Sequence, residues 1–171
     1  GLYQQALEAW DTAIAHDFSR AEYFSNRGVA KLQLKNLEGA YQDFTEAIRR
    51  RPDEPVFFIN RAKCAFYLGR MESAKEDSDK AISLDPGNSV YWGQRGYLLF
   101  ALKEFREAAD CFAAASRFDP QPQYLMMRAR AFLCLGDRVK AREVLTEVTE
   151  AFGFRTILAN RQAMSSAAVL N

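Results

Sequence analysis

One tripeptide recurs four times along the 171-residue chain, as Asn26-Arg27-Gly28, Asn60-Arg61-Ala62, Gln94-Arg95-Gly96 and Met127-Arg128-Ala129. Its arginines lie 34, 34 and 33 residues apart. A fixed period of this length is typical of solenoids, in which each repeat buries its apolar face against the neighbouring repeats. The tripeptide therefore indicates a repeat fold, and it directs the search for function to a surface rather than to a catalytic centre.

Other positions keep the same period. Small residues recur at Ala40, Ala74, Ala108 and Ala141. Bulky residues precede the Gly/Ala of the tripeptide by four positions, at Phe24, Phe58, Trp92 and Leu125. Prolines follow at Pro52, Pro86 and Pro120. This pattern resembles the tetratricopeptide repeat (TPR) family, and four full units match it, at residues 21–54, 55–88, 89–121 and 122–155.

The resemblance implies an all-α fold, a right-handed α-solenoid (TPR superhelix) of antiparallel helix pairs called A and B. The residues agree, since apolar side chains recur at helical spacing through residues 21–34 and 37–50 of the first full unit. The turns between A and B contain Leu34-Lys35-Asn36, Leu68-Gly69-Arg70, Leu102-Lys103-Glu104 and Leu135-Gly136-Asp137. We expect Gly and Asn to take the left-handed conformation that ends helix A there. Proline then stops each B helix.

The two ends of the chain fit the same frame. Ala6 and Trp10 precede Ala40 and Phe44 by 34 residues, so residues 1–20 are predicted to be helix B of a truncated first repeat. Its helix A is missing, which predicts a fragment of a longer protein and an exposed apolar face around Leu7, Trp10 and Ile14. Residues 156–171 are predicted to form a C-terminal capping helix. The whole chain is then expected to be one continuous solenoid domain.

Composition narrows the classes of partner. The formal net charge is +1, from 23 Lys and Arg against 22 Asp and Glu, which argues against nucleic acid as the principal ligand. No apolar stretch approaches the roughly 20 residues that a membrane span needs, so no membrane insertion is expected. The isolated cysteines suit a reducing compartment, and we predict an intracellular, cytoplasmic location.

The sequence offers little for catalysis. Cys64, Cys111 and Cys134 lack the paired spacing of a zinc site, and they are expected to be small buried or half-buried thiols. His16 is the only histidine, and a solvated side chain is expected there. The glycines form no phosphate-binding loop. We therefore predict a protein that is not an enzyme and has no cofactor or metal.

The resemblance places the binding surface on the A helices, which line the concave face in TPR folds. The residues of the matching inward positions that we select as a peptide-binding site are Asn26, Val29, Ile59, Asn60, Lys63, Phe66, Gln94, Tyr97, Met126 and Arg130.

An amide row runs through this set, at Asn26, Asn60 and Gln94. A carboxamide offers an acceptor and two donors, so it can pair with both the C=O and the N–H of an extended peptide. The resemblance to peptide-binding TPR proteins with asparagine ladders favours that role. The alternative is that these amides bond only to local backbone or to neighbouring helices.

The recurring arginine has a structural interpretation. Arg27 and Arg61 are expected to pair within their repeats with Asp43 and Asp77, which share one position of helix B. Cys111 and Val144 replace that aspartate in the next two repeats. Arg95, with Asp110 as an alternative partner, and Arg128 are then the arginines more available to an acidic ligand.

These features predict a non-enzymatic scaffold or adaptor that binds a peptide or helix of a partner protein in the TPR groove. One alternative is a structural segment of a longer superhelix that self-associates through its exposed ends. Another is a regulatory module whose catalysis lies outside this chain. A co-chaperone that grips acidic chaperone tails is disfavoured, because four of five clamp positions fail. Asn60 fits that clamp, whereas its other positions are Ser25, Val29, Val90 and Gln94.

Overall fold

The computed structural model describes residues 1–153. Those residues form nine α-helices and no strand: α1 Leu2–His16, α2 Ala21–Gln33, α3 Leu37–Arg50, α4 Pro55–Tyr67, α5 Met71–Leu84, α6 Ser89–Ala101, α7 Phe105–Phe118, α8 Pro122–Cys134 and α9 Arg138–Phe152. The chain divides into two compact units, Gly1–Pro86 (unit 1, with α1–α5) and Gly87–Asn171 (unit 2, with α6–α9). The predicted capping helix over residues 156–171 lies outside the described residues.

Consecutive helices pack against each other within each unit. In unit 1, α2 packs on α1, α3 and α4, and α4 packs on α5. In unit 2, α7 packs on α6 and α8, and α8 packs on α9. The predicted first pair is confirmed closely, because helix A ends at Gln33 and helix B spans Leu37–Arg50.

Small residues stand where a ring of helix B meets helix A. A Cβ added to Gly28 would lie 3.0 Å from the Phe44 ring, and one added to Gly96 would lie 2.8 Å from the Phe112 ring. Both rings are fully buried. The predicted packing role of the Gly/Ala position is therefore confirmed, since a larger residue would need these rings to move.

The turns between A and B helices hold a left-handed residue in every repeat. Gly69 and Gly136 have φ of 76° and 77°, whereas Lys35 and Lys103 have φ of 63°. The expectation that Asn would serve here was wrong for the first repeat. Asn36 is instead the N-cap of α3, and its side chain accepts a hydrogen bond from the Gly39 amide at 3.0 Å. The residue before it takes the strained conformation, because the next helix must start at once.

Replacing Lys103 by glycine is expected to raise the free energy of unfolding of unit 2 by about 1 kcal/mol. The left-handed conformation costs an L-residue roughly 1–2 kcal/mol, and the greater entropy of unfolded glycine offsets part of the gain. Urea unfolding checks the value. Lys103→Ala removes the same exposed side chain but keeps the Cβ, so a gain equal to that of Lys103→Gly would contradict the backbone explanation.

Candidate functional site

A groove opens between α1 and α2 in unit 1. It has a volume of about 260 Å³ and is lined by Tyr3, Ala6, Trp10, Asn26, Val29 and Ala30. Tyr3 is 51% exposed and Val29 is 37% exposed, so its walls are open to solvent. Two of the residues selected from the sequence, Asn26 and Val29, therefore lie in one concave, mostly apolar place, which is called the α1/α2 groove below.

Helical geometry explains which part of the tripeptide reaches the groove. Successive helical residues point about 100° apart, so three neighbours cannot share one face. Asn26 is exposed, the Arg27 side chain is 19% exposed, and Gly28 is buried against Phe44. Val29 lies one turn beyond Asn26 and joins it on the exposed side.

The next A helix of unit 1 repeats this arrangement with different chemistry. On α4, Lys63 is exposed and Asn60 is half-buried. Phe66 is also half-buried, and its ring centroid lies 5.6 Å from that of Tyr67. Ile59, in contrast, is only 3% exposed. Ile59 therefore packs inside unit 1 and offers a ligand little area.

Unit 2 carries its own set on α6 and α8. Gln94 and Tyr97 are exposed, and the Tyr97 ring packs edge-on against Phe112 with centroids 5.1 Å apart. Exposed Arg130 places its guanidinium 5.2 Å from the centre of the Phe100 ring. Met126 is 9% exposed and belongs to a cluster around Leu125 and Val148, so it too is mainly a packing residue.

The selected amides have no side-chain hydrogen bond to another residue of the described chain, residues 1–153. This holds for Asn26, Asn60 and Gln94. The alternative from the sequence, in which the amides bond to local backbone or to neighbouring helices, thus has no contact in its support. Their donors and acceptors are available to a ligand.

The expected arginine–aspartate pairs are confirmed. Arg27 donates from Nε and Nη2 to the Asp43 carboxylate at 2.9 and 2.6 Å, and Arg61 binds Asp77 in the same bidentate way at 2.7 and 2.7 Å. The hydrogen bond to Asp43 raises the pKa of Arg27, and the one to Asp77 raises the pKa of Arg61. Arg27 also donates from Nη1 to Asp11 of α1 at 2.8 Å. These arginines brace helices and are not free for a ligand.

Arg128 is less available than its repeat position suggested. Its Nη1 lies 3.6 Å from a carboxylate oxygen of Glu147, with both side chains partly exposed. Val144 holds the position of the earlier aspartates, and Glu147 stands three residues further on, or about one turn of α9. A comparison restricted to aligned repeat positions missed this pair.

The apolar face of α1 also differs from the expectation. Ile14 is 7% exposed and packs with Ala21, Phe24 and Ala47, so it does not contribute to an open face. Tyr3 was missed as a groove residue. The signal was present, because Tyr3 lies 34 residues before Leu37, which contacts the cluster around Phe44.

The thiols and the acidic groups form no evident reactive centre in the described part of the chain. Burial raises the pKa of the Cys64 thiol to about 11, so the nucleophilic thiolate is scarce at neutral pH. Cys111 is buried as well, whereas Cys134 is exposed. Among residues 1–153, no group of three or more His, Cys, Asp or Glu side chains could hold a metal ion. None of the described helices combines the length and apolarity required to cross a membrane.

Two family models, both of the tetratricopeptide repeat, match the chain. One covers residues 1–55 and 93–156, and the other covers residues 57–88. The chain belongs to the TPR family. Its fold class is accordingly the all-α TPR solenoid, and TPR repeats are typically non-enzymatic modules that bind protein partners. A general role as a protein-interaction scaffold follows.

Individual relatives share the repeat with this TPR chain. The small glutamine-rich tetratricopeptide repeat-containing protein of Dictyostelium discoideum is 40% identical over 53 residues, which are 31% of this chain and 16% of that protein. The chain thus matches under a fifth of that relative's length.

Solved structures show the same fold at low identity. A MamA protein superposes with a TM-score of 0.78 at 14% identity, covering 88% of this chain and 82% of that one. YrrB, a TPR protein with an unusual peptide-binding site, gives 0.73 at 20% identity and covers 94% and 84%. TTC0263, a thermophilic TPR protein of Thermus thermophilus, gives 0.73 at 19% identity and covers 99% and 91%.

Proposed function

We propose that this TPR chain is a non-enzymatic scaffold that binds a peptide or helix of a partner protein across the exposed face of its A helices. The observation that carries the proposal is the state of the amides. Asn26 reaches an open groove, and neither it nor Asn60 has a side-chain hydrogen bond to any residue of the described part of the chain. A polar group left available beside apolar area is the usual composition of a peptide-binding surface.

Unit 1 supplies the amides in adjacent helices. Helices α2 and α4 pack against each other, so Asn26 and Asn60 occupy corresponding places one repeat apart. Val29 adds exposed apolar area beside the first amide, and Lys63 adds a charge beside the second. A bound segment would gain main-chain hydrogen bonds from the amides and burial of an apolar side chain at Val29.

Unit 2 carries a comparable set on its own A helices. Gln94 and Tyr97 are exposed on α6, and Arg130 is exposed on α8. Tyr97 is an amphipathic ring held from behind by Phe112, which is a frequent property of interface anchors. YrrB is described as having a peptide-binding site, and its likeness in fold adds support for a peptide as the ligand.

Site-specific photo-crosslinking in the cells that express the protein tests this proposal. A photoreactive residue replacing Val29 or Lys63 is expected to capture the same partner protein. One replacing Glu76, an exposed residue of the B helix α5, is the matched control and is expected to capture none. Equal crosslinking from position 76 would contradict the assigned face.

Removing the amides is expected to lower the crosslinking yield from position 63 by about tenfold. The double variant Asn26→Ala and Asn60→Ala loses two hydrogen bonds, each contributing roughly 0.5–1.5 kcal/mol, and about 1.4 kcal/mol corresponds to a factor of ten. Exposed Gln42→Ala on α3 is the control amide. An unchanged yield in the folded double variant would overturn the amide role. Capture of a second copy of this chain would instead favour self-association.

A further inference from the structure

We propose that the α1/α2 groove binds one amphipathic α-helix of a partner protein, with a Gly or Ala at the contact point and a Leu four residues later. The inference rests on the proposed function and specifies the partner of one part of that face. It comes from the repetition inside the chain, because the structure shows what covers the same surface one repeat later.

The equivalence is fixed by the 34-residue period. The groove residues of α1 are Tyr3, Ala6 and Trp10, and their equivalents on α3 are Leu37, Ala40 and Phe44. Ala30 on α2 corresponds in the same way to Cys64 on α4.

The later surface is covered by α2. Leu32 packs in one cluster with Ala40, Phe44 and Cys64, of which the last three have no exposed area. Gly28, four residues before Leu32, lies directly against the Phe44 ring. A helix with a small residue and a leucine in this spacing therefore fits the surface formed by a B helix and the next A helix.

Unit 2 repeats the arrangement independently. Gly96 of α6 lies against the Phe112 ring, and Leu99 packs in the cluster that contains Phe112. In both units the covering helix thus places glycine against an aromatic ring of helix B. The α1/α2 groove carries Trp10 at that ring position, and a larger ring requires an equally small residue opposite it.

Charges distinguish the expected helix from an ordinary TPR A helix. Ala9 stands where α3 has Asp43, so a partner helix finds no carboxylate there for an arginine like Arg27. The charged side chains of α1 other than His16 are acidic, Glu8 and Asp11. Both are exposed, although Asp11 already holds Arg27. The apolar stripe of the partner helix is therefore expected to be flanked by neutral or basic residues.

A peptide copied from this chain provides the probe. Residues 21–34, AEYFSNRGVAKLQL, contain the required spacing and one more basic than acidic side chain. Isolated helices of this length are marginal in water, so a hydrocarbon staple joins the positions of Val29 and Gln33, both exposed in α2. Fluorescence anisotropy of the labelled peptide is expected to show saturable binding of one peptide per protein.

Two protein variants in α1 make the test specific. Ala6→Glu places a carboxylate in the groove and is expected to weaken binding at least about tenfold, because the charge would be buried without a partner. Ala15→Glu makes the same change at an exposed place on the same helix and is expected to alter the affinity less than about twofold. Circular dichroism checks the folding of both. Tyr3→Ala, at a half-exposed wall, serves as a second groove variant.

The peptide itself is varied at its contact point. Leucine in place of the residue that copies Gly28 is expected to lower the affinity about tenfold through overpacking against Trp10. Absence of saturable binding, or binding that Ala6→Glu leaves unchanged, would overturn the proposal. A dimer of the protein that Ala6→Glu dissociates would overturn it too, by assigning the groove to a second copy. The crosslinks from Lys63 are a separate readout, so the proposed function can stand when this inference fails.

Discussion

Replacing Phe112 by alanine is expected to lower the free energy of unfolding of unit 2 by about 3–5 kcal/mol. The side chain is fully buried and packs with Leu99, Ala108 and Tyr124. Its removal takes apolar area from the core and leaves a cavity that Gly96, which has no side chain, cannot fill. Urea unfolding followed through the fluorescence of Trp92, which packs against the same cluster, measures the change.

The matched control is Phe118→Ala in the same helix. Phe118 is 50% exposed at the end of α7, and its loss is expected to cost less than about 1 kcal/mol. Equal effects of the two changes would contradict the assignment of Phe112 to the core. Phe112→Ala is also expected to loosen Tyr97, whose ring it supports at 5.1 Å, and so to weaken any ligand contact made by that tyrosine.

Replacing Asp43 by alanine is expected to lower the free energy of unfolding of unit 1 by about 3 kcal/mol. The Asp43 side chain is 5% exposed and accepts from Arg27 while lying 2.8 Å from the Lys31 ammonium. Removing it leaves two cations that are 19% and 18% exposed. Breaking a buried pair in this way costs about 3–5 kcal/mol, and the partial exposure of both cations places the effect at the lower end.

Asp77→Ala is the comparison within the same unit. Asp77 pairs with Arg61, and its removal is expected to cost about half as much as that of Asp43, since one cation rather than two loses its partner. Glu76→Ala, at the exposed neighbouring position, is expected to change stability by less than about 0.5 kcal/mol. Urea unfolding compares the three. A cost for Asp43→Ala no greater than that for Glu76→Ala would show that the pairs do not stabilise the unit.

The helix pairs and the arginine–aspartate contacts could be predicted from the sequence because they are local and repeated. A contact between Arg27 and Asp43 joins helices of one repeat across a short turn, so a periodic pattern of residues suffices to specify it. The same applies to Gly28 beneath Phe44. Repetition supplies several independent examples of each contact within one chain.

The selection of site residues succeeded only in part. Asn26, Val29 and Lys63 are exposed as a binding role requires, whereas Ile59 and Met126 are buried. A repeat position specifies the direction of a side chain from its helix. Its exposure depends on the size of the residues around it, and those differ from repeat to repeat.

By itself, the sequence determined the family, the order of the helices and the division of the tripeptide between packing, bracing and surface. Tertiary structure decided three further matters: the left-handed state of Lys35, the pairing of Arg128 with Glu147, and the groove that joins Asn26 to Tyr3 and Trp10. The physical reason is the same in each case. Periodicity reports what the repeats share, whereas a strained turn, an ion pair outside the aligned positions and an open cavity arise from how individual side chains fill the space between particular helices.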